Sequence, residues 1–128
     1  MAALFCASFN LFAIVILNLD ILTRSSRPCV DFLFIALVGG EETQKLVSAS
    51  VIDALGSNGI LINISRGSTV DEEALIEALQ KGSLRGAALD VFEVEPATGN
   101  KLTTLPNFVA TPHMGAQTKE AQLLAANV

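Results

Sequence analysis

Arg66, Asp90, Glu95 and His113 are the residues best equipped for chemistry, and each stands at or just past the end of a short apolar run. A guanidinium can grip an anion in two places through its planar fork. An imidazole, with an unperturbed pKa of about 6.5, gives or takes a proton near neutrality. A carboxylate on the second ring nitrogen of such an imidazole fixes its tautomer. Each residue also has a plainer use when taken singly. An arginine after a strand is commonly a solvated rim residue, and a histidine after proline commonly packs. Glu95 before Pro96 can be a loop charge, and Asp90 can cap a turn. His113 is the single histidine of the 128 residues.

The elements that must hold these side chains follow from the pattern of apolar residues. Phe32 to Val38 (FLFIALV) is a continuous apolar run ending at Gly39-Gly40, as suits a parallel strand buried on both faces. Ser48 or Ser50 then caps a short helix through Leu55, with Gly56 at its end. The next strand is Ile60 to Ile64, followed at once by Ser65-Arg66-Gly67. Asp71 or Thr69 opens a longer helix, since Ala74, Leu75, Ala78 and Leu79 share one face and Glu77 can pair with Lys81. Gly82 ends it. Ala87 to Val91 and Phe108 to Thr111 are the third and fourth strands, and a last helix begins at Thr118. Strands alternating with helices imply βαβ units, hence an α/β fold with a parallel sheet and right-handed crossovers. Open sheets of this kind bind ligands at the carboxyl ends of their strands, where all four residues fall.

Composition narrows the function further. Hydrophobic residues make up 51% of the chain and charged residues 16%, which argues for a packed core and against disorder. The net charge of −5 is scattered, without a basic cluster or an aromatic stacking platform, which weighs against nucleic acid as a partner. Cys6 and Cys29 read as reduced, with no neighbouring metal-type ligands and no metal site expected. The apolar start MAALFCASFNLFAIVIL has the hydropathy of an export signal or anchor. No Lys or Arg precedes it, Ser8 and Asn10 interrupt it, and Asn18 and Asp20 follow, so a membrane role is not expected.

Three motifs in fixed order carry a family resemblance. They are Ile62-Asn63-Ile64-Ser65-Arg66-Gly67 with Val70-Asp71-Glu72-Glu73-Ala74-Leu75, then Gly86 to Pro96 (GAALDVFEVEP), then Thr111-Pro112-His113-Met114-Gly115. Together, over residues 31 to 128, they resemble the nucleotide-binding domain of the D-isomer-specific 2-hydroxyacid dehydrogenases, in particular the glyoxylate/hydroxypyruvate reductases. The resemblance implies a partial Rossmann-like parallel sheet with flanking helices and hydride exchange between NAD or NADP and a small 2-keto or 2-hydroxy acid. It implies Arg66 as the cation on the substrate, His113 as acid and base, and Glu95 as the carboxylate orienting His113. Ser65, Asp90 and Gly115 would touch the cofactor, Asp90 at the nicotinamide carboxamide. It also implies a cytoplasmic protein, commonly homodimeric.

Parts of the family pattern are altered or missing. Val38 stands where relatives often have proline, with Gly39-Gly40 beyond it. No G-x-G-x-x-G occurs in the sequence, and neither does the acidic residue expected about 20 residues after it. Residues 1–30 are therefore read as an apolar leader foreign to the family, expected to patch a sheet edge or to pack poorly. Residues 31–128 are read as the carboxyl-terminal half of an NAD(P)-binding domain, truncated and inactive alone. The alternatives are a dinucleotide-sensing corepressor-type protein of the same fold, and a nonfunctional or membrane-tethered remnant.

Overall fold

A computed structural model describes residues 12–15, 30–115 and 117–126. Five parallel strands form one sheet in sequence order: β1 (Phe12–Val15), β2 (Phe32–Ile35), β3 (Ile60–Asn63), β4 (Gly86–Leu89) and β5 (Phe108–Ala110). Helix α1 (Ala49–Leu55) connects β2 to β3, α2 (Glu72–Lys81) connects β3 to β4, and α3 (Lys119–Ala126) follows β5. Because every crossover from β2 to β4 steps the same way along the sheet, right-handedness places α1 and α2 on one face, where they pack together. Leu33, Ile35, Leu61, Ala87 and Leu89 meet Val51, Ile52, Leu55, Leu75 and Leu79 there as one core.

Local chemistry explains the helix limits. The Asp71 carboxylate accepts the Ala74 N–H at 3.2 Å, and Gly82 closes α2 in the left-handed conformation at φ 71°. Thr69, the other predicted cap, is instead fully buried, its hydroxyl donating to the Arg66 carbonyl at 2.6 Å. Ser48 occupies the cap position of α1 but its hydroxyl contacts Ser50 rather than the backbone. Each of the four predicted strands stops one to three residues early. Ile35, Asn63 and Leu89 are in register, and beyond them the chains diverge toward separate loops. Val38, counted in the first apolar run, is 91% exposed for this reason.

Of residues 1–29, Phe12–Val15 lies in the described part, as a strand pairing in parallel with β2. Val30, the last residue of the predicted leader, is buried in the core, and the rest of that stretch, with Cys6, Cys29 and most of the apolar start, lies outside the described residues. No helix among the described residues is long and apolar enough to cross a membrane.

Candidate active site

The turn after β3 is built on Asn63, which is fully buried and uses all its hydrogen-bonding capacity. Its Nδ2 donates to the Arg66 carbonyl at 2.9 Å and to Thr69 Oγ1 at 3.1 Å, while its Oδ1 accepts from the Ser65 N–H at 3.0 Å and the Ser65 hydroxyl at 2.8 Å. Arg66 is thereby presented outward, one guanidinium nitrogen donating to the Ser65 carbonyl at 2.8 Å. Its stem passes Gly39 so closely that a Cβ there would stand 2.5 Å from Arg66 Cγ. Gly67 has no such latitude. A Cβ on it would lie 1.9 Å from the Phe92 carbonyl carbon and 2.3 Å from the Glu93 nitrogen, so the Arg66 turn and the loop after β4 press backbone to backbone.

That second loop carries Asp90 and Glu95. Glu95 Oε1 accepts the Phe92 N–H at 3.0 Å, and Oε2 lies 2.8 Å from His113 Nδ1. Asp90, 8% exposed, organises the turn that bears His113. Its Oδ1 accepts from the Thr111 hydroxyl and from the Met114 N–H at 2.9 Å, and its Oδ2 accepts from the Gly115 N–H at 2.9 Å. His113 itself is held at φ 52°, an uncommon conformation for a side chain of this size and one concentrated at functional sites. Successive N–H groups beyond such a residue converge on an anion, here the Asp90 carboxylate.

Arg66, Glu95 and His113 thus leave one edge of the sheet, beyond the carboxyl ends of β3, β4 and β5. Glu95 and His113 are in contact and border a cavity of about 630 Å³ walled by Phe92, Pro96, Ala97, Ala110 and Pro112. Arg66 borders a separate hollow with Gly39, Gly40, Gln44 and Ser68. Ser65 turns its hydroxyl inward to Asn63, leaving it buried.

Known proteins share this sequence and fold. Residues 18–115 fit the D-isomer specific 2-hydroxyacid dehydrogenase NAD binding domain. The chain belongs to that family. It is 48% identical over 98 residues to glyoxylate/hydroxypyruvate reductase A of Arabidopsis thaliana, covering 77% of this chain and 31% of the relative. Over 86 residues it is 52% identical to D-3-phosphoglycerate dehydrogenase of Bacillus subtilis, covering 67% of this chain and 16% of that protein. Among solved structures it superposes on the NADPH-dependent glyoxylate/hydroxypyruvate reductase of Sinorhizobium meliloti, in complex with NADP and malonate. The TM-score is 0.76 at 39% identity, over 85% of this chain and 33% of that one. The chain spans about a third or less of the length of these relatives. The family match begins at residue 18, inside the stretch read above as a leader.

Along this edge, Asn63, Gly67, Thr111 and Glu72 had no part in the sequence reading beyond their place in the motifs and predicted strands. An asparagine inside an otherwise apolar strand run was the one local signal, because a buried amide must be hydrogen-bonded. Two carboxylates of the edge sit below their ordinary range. The His113 ring and then the Phe92 N–H hold Glu95 down. Burial alone would push Asp90 up, but the Thr111, Met114 and Gly115 hydrogen bonds together outweigh it and the net direction is down. Lowered carboxylates bind fewer protons folded than unfolded. Their stabilisation is therefore complete above the ordinary carboxylate range of about 4 and is lost as pH falls through the lowered values. Thermal unfolding should be insensitive to these two groups above about pH 5 and weaken below it. Asp90→Asn should be less stable at neutral pH, since an amide turns a donor toward N–H groups, and should lose part of the acid slope. An unchanged acid slope in that variant would remove Asp90 from the explanation.

Proposed function

We propose that residues 31–128 form the carboxyl-terminal half of an NAD(P)-binding domain and supply the proton-transfer and anion-binding edge of a 2-hydroxy acid dehydrogenase. The observation that carries this reading is the 2.8 Å contact between His113 Nδ1 and Glu95 Oε2. With Nδ1–H donated to the carboxylate, Nε2 is the nitrogen that hands a proton to a substrate carbonyl oxygen and recovers it in the reverse direction. Glu95 holds the ring in place and offsets its charge while Nε2 is protonated. Arg66, with one nitrogen tied to Ser65, has the remainder of its fork for the carboxylate of a small 2-oxo acid.

The residues present fit the nicotinamide end of a dinucleotide. Oδ1 of Asp90 takes two donors and Oδ2 one, so Oδ2 keeps an acceptor position for a carboxamide N–H, with the Gly115 N–H beside it; the Ser65 N–H and carbonyl are engaged by Asn63 and Arg66. A bound NAD(P)H would supply the hydride. Phosphate groups find no G-x-G-x-x-G cradle within these 128 residues. Positioning of reactants is worth about 7 to 11 kcal/mol of barrier in well-oriented systems, and without that cradle residues 1–128 are expected not to secure it by themselves. Purified and given NADH or NADPH with glyoxylate or hydroxypyruvate, it should show no change at the nicotinamide absorbance band. Turnover that vanishes with His113→Ala would show that these residues are sufficient and would overturn the reading of an incomplete site.

A further inference from the structure

We propose that Glu72 is a positioning residue for the Glu95–His113 couple, tying both ends of the loop that carries Glu95 to the start of α2. Glu95 has no helix or strand of its own. It sits in a loop between residues 92 and 100, and its side chain is 38% exposed, so packing and the Phe92 N–H confine it only in part. Glu72 reaches across from the first turn of α2 and divides its carboxylate between the two ends of that loop. Oε1 accepts the Glu93 N–H at 2.6 Å, and Oε2 accepts the Asn100 side-chain N–H at 2.8 Å. Charge-assisted bonds to a carboxylate are about twice as strong as neutral ones, and one group bridging two points restricts the chain between them. The amide of Asn100 cannot turn over to suit a different partner, because its Oδ1 is engaged by the Leu102 N–H at 3.0 Å. The contact therefore requires two acceptors at position 72.

An acidic residue in the first turn of a helix is also favoured by the helix dipole. Glu73 lies in the same turn and supplies the same charge without touching the loop, which separates the two roles. The functional meaning of the tie rests on Glu95 and His113 being the proton-transfer couple, but its test does not need turnover. His113 is the chain's single histidine, so its ring nitrogens can be read without ambiguity by long-range proton–nitrogen correlation in 15N-labelled protein. Once the ring has been titrated to its neutral form, the wild-type chain should show a predominance of the Nδ1–H tautomer that Glu95→Ala abolishes. Glu72→Ala and Glu72→Gln should move the ring toward the Nε2–H tautomer favoured by a free imidazole side chain, while Glu73→Ala leaves it unchanged. The double variant Glu72→Gln with Asn100→Asp restores a donor facing an acceptor, and should return the wild-type tautomer ratio. A ring altered by Glu95→Ala but unmoved by both Glu72 variants would overturn the tie and leave the couple standing. A ring indifferent to Glu95→Ala would overturn both. Should the single Glu72 variants fail to fold, the double variant decides: folded with a wild-type ring supports the tie, and folded with a free-type ring refutes it.

Discussion

Gly67→Ala should destabilise the chain by about 3 kcal/mol or more, at the upper end of what overpacking costs. The added methyl would meet the Phe92 carbonyl carbon at 1.9 Å, its oxygen at 2.0 Å and the Glu93 nitrogen at 2.3 Å. All three are backbone atoms, so relief requires the Arg66 turn and the Glu95 loop to move apart. A loss of that size in a domain of this length lowers the unfolding temperature by roughly 10 °C or more. The damage should be directional as well as general. Glu93 would be drawn off Glu72, and Glu95 with it off His113. Two neighbouring glycines provide the contrast. Gly40→Ala meets no atom within 4 Å and should be close to neutral, and Gly39→Ala displaces the flexible stem of Arg66 rather than backbone. Thermal unfolding of the three variants side by side checks the ranking. A Gly67→Ala protein as stable as Gly40→Ala would mean that the two loops are not in contact.

The same contacts show what could be read from the chain and what could not. The runs at 32–38, 60–64, 87–91 and 108–111 located four strands because each is apolar and bounded by glycine or polar residues. Their ends were overestimated for a common reason. Apolar character does not distinguish a residue inside the ladder from one just past it, as Ile64, 56% exposed, and Val91, buried outside any strand, both show. Asp71, Gly82 and the Glu77–Lys81 pair were legible because their partners lie within a few residues. The edge that joins Glu95 to His113 across 18 positions, and Glu72 to Asn100 across 28, has no local signature. There the motif resemblance carried the reading. It named Glu95 and His113 but gave no account of Asn63 or Glu72, whose task is to hold other residues still. Asp90 was assigned to a cofactor by resemblance, and the structure adds the three hydrogen bonds by which it shapes the His113 turn.

The largest effect on rate should come from His113, and a chimera measures it. Residues 18–115, the span of the family match, can replace the corresponding segment of the Arabidopsis thaliana glyoxylate/hydroxypyruvate reductase to which this chain is 48% identical. The chimera retains the host's remaining two-thirds, including whatever secures the dinucleotide. Reduction of glyoxylate and hydroxypyruvate with NADH or NADPH is then followed at the nicotinamide band. His113→Ala should lower kcat by about 10²- to 10⁴-fold, the range for removing a positioned general acid, and Glu95→Gln should produce a smaller fall in the same constant. Arg66→Ala should raise KM as well, through loss of the bidentate grip on a carboxylate. The account predicts an active chimera whose turnover collapses with His113→Ala while the folded state and dinucleotide binding persist. A chimera that reduces either substrate at the same kcat with and without His113 would contradict it.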